Sequence, residues 1–167
     1  MKESRNIISL VKEKMIEYYA GDVRRINHFL KVHSFAKLIG EMEHLPDEEL
    51  RILEIAALVH DIGIKNSEIK YGYNNGKTQE EEEPPEAEKL LRELGLEETV
   101  ISRVSYLVGH HHTYKDIDGL DYQILVEADF IVNLYEDDAS AESVKTAFGK
   151  IFKTESGKKI CTGVFSL

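Results

Sequence analysis

The chain has 167 residues, of which 42% are hydrophobic and 31% are charged, and its formal net charge is −10. This length and composition predict a single globular domain, residues 1–167, with a substantial core. The acidic balance argues against general nucleic-acid binding, which needs clustered lysine and arginine. No apolar run is long enough to span a bilayer, and the N-terminus does not have the pattern of a signal peptide. Because the single cysteine also fits a reducing compartment, we expect a cytoplasmic protein without membrane binding.

Helical periodicity runs through most of the chain. It predicts about seven helices, over residues 4–20, 22–44, 47–61, 86–94, 97–112, 119–137 and 140–153. Residues 66–84 lack a sustained period and contain Asn-Asn-Gly, four successive glutamates and Pro84-Pro85, so we predict one long loop there, of a length that is usually functional or disordered. The last five residues, GVFSL, are the only weak strand candidate. The predicted fold class is therefore all-α.

In the second predicted helix, the spacing of apolar residues separates two histidines. Each residue of a helix advances about 100° around the axis. His28 falls inside the apolar stripe that includes Val32 and Ile39, whereas His33 falls on its flank. We therefore predict that His28 faces the core and that His33 does not take part in a site.

The histidine run in VISRVSYLVGHHHTY is sorted in the same way. His111 falls in the centre of the apolar stripe, and His110 and His112 fall about 100° to either side. Because Gly109 can loosen this last turn, His110 stays a second candidate. His112, like His44 elsewhere in the chain, is predicted to lie at the surface.

Two aspartates also lie beside apolar faces, Asp61 at the end of EIAALVHD and Asp129 in QILVEADFIVNLY. Together with His28, His60 and His111 they place polar groups on several helices that would otherwise be apolar. Each alone is usually a hydrogen-bonded core residue or a cap, but no lysine or arginine on these stripes could pair with them. One divalent cation would satisfy all of them. Imidazole and carboxylate ligands suit manganese, iron, nickel, cobalt or zinc better than calcium.

The order of these residues resembles the HD superfamily of metal-dependent phosphohydrolases. RINHFLKVHSFAKLIGE is similar to the opening helix of that family, and LEIAALVHDIGIK is similar to its central motif. LVGHHHTYKDIDG and ILVEADFIVNL resemble the histidine-bearing helix end and the helix with the last aspartate. The likeness covers about residues 22–137 and implies an HD-type helical bundle.

The resemblance also implies an activity, the hydrolysis of a nucleotide or another small phosphate ester through a metal-activated water. The implied metal ligands are His28, His60, Asp61 and Asp129, with His110 and His111 as further candidates. Asp61 would also orient the attacking water, and His111 with His110 would stabilise phosphate charge or protonate the leaving group.

Several other side chains are candidates for contacts with the substrate. Lys65, just after the histidine–aspartate pair, is a candidate for phosphate binding and for a catalytic role, although a solvated side chain is the simpler interpretation. Arg24, Arg25 and Lys115 are open to the same two interpretations. Tyr71 and Tyr73 would either stack on a nucleobase or anchor their loop.

The number of metal ions and the reaction stay open at this point. Members of the family with a second metal usually carry another histidine before the helix that corresponds to AEKLLRELGL, where this chain has Glu83 nearest the expected place. An HD-fold di-iron oxygenase, which needs an additional ligand set, is one alternative. A metal-bound regulatory module without turnover is another. The expected partner is a small phosphorylated substrate, a nucleotide among the candidates, and a homodimer is left open.

Overall fold

A computed structural model describes residues 6–167. Within this range the chain forms nine α-helices and no strand, which confirms the all-α prediction. The helices are α1 (Ile7–Tyr18), α2 (Val23–Met42), α3 (Asp47–Val59), α4 (Ile64–Tyr71), α5 (Gly76–Glu93), α6 (Glu98–Val108), α7 (Leu120–Glu136), α8 (Ala141–Ile151) and α9 (Glu155–Phe165). Residues 4 and 5 of the first predicted helix lie outside the described range. No helix between residues 6 and 167 is both long and apolar enough to cross a membrane.

The core lies where α2, α3 and α7 pack against one another. The outer helices pack around these three, α1 and α6 on α3, α5 on α6, and α9 on α7 and α2. Every side chain from Ile55 to Val59 at the end of α3 is fully buried, because neighbouring helices cover α3 on several sides. The small Ala56 and Ala57 let those helices come close. The C-terminal end of α3 therefore lies inside the protein.

The prediction of a loop over residues 66–84 was wrong, because most of α4 and the first half of α5 occupy it and only residues 72–75 connect them. Asn75 starts α5 with a capping box, in which its side chain and backbone N–H exchange hydrogen bonds with Thr78. Pro84 and Pro85 lie inside α5, where each removes a helical hydrogen bond. Packing of α5 against α6 and α4 offsets this loss, as tertiary context often does.

The weak strand prediction for residues 163–167 was also wrong, because α9 extends to Phe165. Thr154 caps this helix by accepting a hydrogen bond from Gly157 N–H. The buried carboxylate of Glu127 on α7 accepts from both the hydroxyl and the N–H of Thr154, at 2.6 and 3.2 Å. A negative charge at a helix N-terminus is favourable, so a contact distant in sequence stabilises a helix that local periodicity did not indicate.

Gly63 lies where α5 crosses the turn that follows α3. A Cβ atom on Gly63 would lie 2.5 Å from Glu83 Cγ and 2.7 Å from Glu83 N. The φ angle of Gly63 is −79°, which any residue adopts, so the requirement for glycine is steric. The absence of a side chain at this position lets Glu83 approach the end of α3.

We predict that Gly63→Ala lowers the free energy of unfolding by about 1–3 kcal/mol, because the added methyl group forces α5 away from the turn. Gly149→Ala in α8 is the matched control, since a Cβ there meets nothing within 4 Å. The control should raise the free energy of unfolding by about 0.5–1 kcal/mol. Denaturant unfolding of both variants measures the difference, and equal stability of Gly63→Ala and the wild type would contradict the prediction.

Candidate metal centre

Four of the predicted ligands meet in the core between α2, α3 and α7. His28 Nε2 lies 3.1 Å from His60 Nε2, and both nitrogens lie 3.2–3.3 Å from Asp129 Oδ1. Asp61 Oδ2 lies 3.1 and 3.3 Å from the same two nitrogens. His60 is fully buried, and Asp129 is 3% exposed. We call His28, His60, Asp61 and Asp129 the first cluster.

The atoms that face one another in the first cluster are mainly hydrogen-bond acceptors. His60 Nδ1 lies 2.7 Å from Ala57 O, so in the neutral ring Nδ1 carries the proton and Nε2 is free to bind a metal ion. His28 presents Nε2 in the same way, because its Nδ1 faces the Glu136 carboxylate at 3.1 Å. Across the described residues, Asp129 Oδ1 is buried without a hydrogen bond. A buried carboxylate oxygen without a hydrogen bond lowers the stability of the protein unless a cation occupies the centre of the cluster.

The two carboxylates of the first cluster favour positive charge on their neighbours. Burial lowers the pKa of His28, but the nearby carboxylates of Asp129 and Asp61 outweigh it and raise the pKa to about 9. Burial likewise opposes the charge on His60, yet Asp61 and Asp129 raise its pKa well above the usual value. Both aspartates have a lowered pKa, because the histidines outweigh the effect of burial. A metal ion would therefore replace protons at this site.

A second group of potential ligands adjoins the first. Single ligand atoms of Asp61, Glu83, His111 and His112 all lie within 4.8 Å of one another. Asp61 Oδ1 lies 3.5 Å from His111 Nε2, whereas Asp61 Oδ2 faces the first cluster. We call Asp61, Glu83, His111 and His112 the second cluster. One carboxylate, that of Asp61, thus belongs to both clusters.

Glu83 is the residue that sequence reasoning left open, and the structure places it in the second cluster. It is fully buried, and its Oε2 lies 3.4 Å from His111 Nδ1. In the part of the chain that the structure describes, neither oxygen of Glu83 nor His111 Nε2 has a hydrogen-bond partner. Burial, followed by repulsion from Asp61, raises the pKa of Glu83 well above its usual value. These unsatisfied buried atoms fit a second cation.

The prediction that His112 lies at the surface was wrong. Helix α6 ends at Val108, so residues 109–112 form a turn to which helical projection does not apply. His111 is fully buried, as projected, but the His112 ring also lies against it, with the ring centroids 3.9 Å apart. Burial, together with His111, lowers the pKa of His112 to about 4. His112 is therefore neutral at pH 7 and can act as a ligand.

Two other predicted site residues, His110 and Lys65, are not brought to either cluster. His110 stacks on Tyr106 at a centroid distance of 4.2 Å, and its Nδ1 lies 2.7 Å from Tyr106 O. The ammonium group of exposed Lys65 lies over the ring of Tyr18 and donates a hydrogen bond to Tyr18 O. His33, which was predicted to take no part in a site, is buried beside Glu54, with His33 Nε2 3.0 Å from the carboxylate. The structure therefore gives these three residues contacts outside the cluster region.

A cavity of about 400 Å³ opens above the clusters. Its floor includes His28, Asp61, His112 and Asp129. Arg24 and Arg25 also line it, but Arg25 is paired with Asp22 and Glu68. Exposed Arg24 has no carboxylate partner within residues 6–167. Tyr71 does not line the cavity and instead donates a hydrogen bond to Glu82, which favours the anchoring interpretation.

Comparison with known proteins agrees with the residue pattern. A family model of the HD domain matches residues 25–147, which is most of the chain and includes every member of both clusters. The chain belongs to the HD domain family. The crystal structure of a predicted HD superfamily hydrolase from an uncultured Thermotogales bacterium is similar to this HD domain, with a TM-score of 0.65 and 25% sequence identity over 96% of this chain and 84% of that one. The comparison with curated proteins gave no match.

We predict that Glu83→Met stabilises the metal-free protein by about 1–4 kcal/mol, because it replaces a buried carboxylate without hydrogen bonds by an apolar group of similar length. The same variant should take up less metal. Unfolding in the presence of a chelator, with metal analysis of the purified protein, measures both effects.

Glu127→Met provides the matched control, because Glu127 is also a fully buried glutamate but accepts hydrogen bonds from Thr154 and Gln123. This control should destabilise the protein and leave metal uptake unchanged. Unchanged metal uptake by Glu83→Met would contradict a metal-binding role for Glu83, and equal destabilisation by the two substitutions would contradict the predicted gain in stability.

Proposed function

We propose that this protein is a metal-dependent phosphohydrolase that cleaves a nucleotide or another small phosphate ester. The observation that carries the proposal is the pair of acceptor clusters that share Asp61 at the floor of one cavity. Membership of the HD domain family and the similarity to a predicted HD superfamily hydrolase support it.

The two clusters would hold one divalent transition-metal ion each. The proposed ligands are His28, His60, Asp61 and Asp129 for the first ion, and Asp61, Glu83, His111 and His112 for the second. Divalent cations lower the pKa of water, which supplies a nucleophile at neutral pH, and neutralise phosphoryl charge. The mixture of imidazole and carboxylate donors suits manganese, iron, cobalt, nickel or zinc.

Asp61 has the strongest support as a catalytic residue, because its two carboxylate oxygens face different clusters and it lines the cavity. Its carboxylate can accept a hydrogen bond from water and so orient it towards a bound ester. The backbone behind it is held from the C-terminal end of α1, where Tyr19 and Tyr18 donate hydrogen bonds to Asp61 O and Ile62 O at 2.7 and 3.3 Å. His110 and Lys65 have less support, because neither lines this cavity.

Arg24 is the best candidate for binding the substrate phosphate. It precedes His28 by four residues on α2, so both side chains lie on one face of the helix, about one turn apart. Asn133 follows Asp129 by four residues on α7 and also lines the cavity. Arg24 and Asn133 therefore lie one turn outside the first cluster, where a phosphate ester would enter.

A di-iron oxygenase is the second candidate function, and the second cluster favours it because it supplies the additional ligand set that such an enzyme needs. The two reactions differ in their requirement for oxygen. A phosphohydrolase should release phosphate at the same rate with and without oxygen, whereas an oxygenase should consume oxygen and stop under anaerobic conditions.

We expect purified wild-type protein to contain a transition metal and to hydrolyse a phosphate ester. Asp61→Asn should lower the rate by about 100-fold or more and reduce the metal content, because one side chain serves both clusters. Asp116→Asn is the control, since Asp116 is exposed and has a positive φ angle that asparagine tolerates. An Asp61→Asn variant with the metal content and rate of the wild type would refute the site.

Removal of the Arg24 charge should affect substrate binding. Arg24→Gln should raise KM for 4-nitrophenyl phosphate about 10-fold or more and leave the metal content unchanged, because a charge-assisted hydrogen bond is lost. Lys65→Gln is the control for general loss of positive charge and should change KM by less than about 3-fold. Equal effects of the two substitutions would show that Arg24 has no specific role.

A further inference from the structure

Each histidine at the centre of the two clusters needs a hydrogen-bond acceptor for Nδ1, so that Nε2 is free to bind a metal ion. Two of them use the ends of helices. His60 Nδ1 lies 2.7 Å from Ala57 O at the end of α3, and His111 Nδ1 lies 2.8 Å from Val108 O at the end of α6. The last four carbonyl groups of a helix have no partner within the helix, which leaves these oxygens available.

His28 cannot use this solution, because it lies inside α2 (Val23–Met42), whose interior carbonyl groups accept the helix's own hydrogen bonds. The acceptor for His28 Nδ1 is instead a side chain from α7. Glu136 Oε1 and Oε2 lie 3.2 and 3.1 Å from His28 Nδ1. The Glu136 side chain is 13% exposed, and Lys31 Nζ holds Oε1 at 3.0 Å. Lys31 is three residues after His28, so one face of α2 presents both groups to Glu136.

We propose that Glu136 is a positioning residue that fixes the ring and tautomer of His28 and makes the first cluster bind metal more tightly, an inference that rests on the proposed metal site. A carboxylate acceptor differs from the carbonyl acceptors of His60 and His111 because it is charged. It increases the basicity of the imidazole as well as orienting it. Glu136 therefore acts directly on the first cluster, since its contact with the ligands is through His28.

The test is competition between the metal-free protein and a chelating dye for Co²⁺, with wild type, Glu136→Gln and Glu136→Ala. Loss of this outer hydrogen bond in Glu136→Ala should weaken binding of one Co²⁺ ion per chain about 10- to 100-fold. Glu136→Gln should give an intermediate loss, because its amide oxygen accepts the Nδ1 proton but carries no charge. The visible absorption of the bound Co²⁺ should shift in both variants.

Asp137→Asn is the matched control, because it removes one carboxylate charge at the neighbouring, exposed position. It should bind Co²⁺ within about 2-fold of wild type. The inference would be overturned if Glu136→Ala kept the affinity and the Co²⁺ spectrum of wild type. It would also be overturned if Glu136→Ala lowered the stability of the metal-free protein and left the spectrum of bound Co²⁺ unchanged, since Glu136 would then be merely structural.

Cobalt binding is measured without substrate, so it separates this inference from the proposed reaction. A wild-type protein that bound Co²⁺ but hydrolysed no phosphate ester would contradict the phosphohydrolase proposal. The dependence of metal affinity on Glu136 would still be decided by the same titrations.

Discussion

The need for positive charge among closely packed imidazole nitrogen and carboxylate oxygen atoms in a nearly dry interior is the constraint on which this structure depends. His28, His60 and Asp129 bring such atoms within 3.3 Å of one another, and Asp61 links them to the buried Glu83 and His111. Without a positive charge these contacts are unfavourable, and the raised pKa of His28 and His60 reflects the demand for one. The protein thus keeps a destabilising arrangement in its core, which suits a site whose purpose is to bind cations.

The helical bundle provides this arrangement in two different ways. His60 and His111 follow the ends of α3 and α6, where free carbonyl oxygens hold their rings. His28 and Asp129 project from the interiors of α2 and α7, so they depend on contacts between helices, and Glu136 supplies the acceptor that α2 lacks. The packing around the clusters requires glycine at position 63, because α5 passes so close to Gly63 that no side chain would fit.

The proposed chemistry follows from the position of the clusters relative to solvent. His60, Glu83 and His111 are fully buried, whereas Asp61, His28, His112 and Asp129 line the cavity. Ions held between them would therefore be reached from one side only. The same side carries Arg24 and Asn133, polar groups one helical turn farther out, and these suit an ester with a charged phosphate. The HD domain family match extends over this whole region.

The sequence by itself determined the all-α class, the inward positions of His28 and His111, and the adjacency of His60 and Asp61, because helical periodicity and neighbouring residues are local properties. Tertiary structure decided the rest. Residues 66–71 and 76–84 are helical, because the packing of α5 against α6 and α4 compensates for two prolines, and this brings Glu83 into the second cluster. His112 points inward because α6 stops at Val108, so the projection of a continuous helix fails there. Glu136 could not be found from the sequence, because its contact with His28 joins residues 108 positions apart, and only the packing of α2 against α7 brings them together.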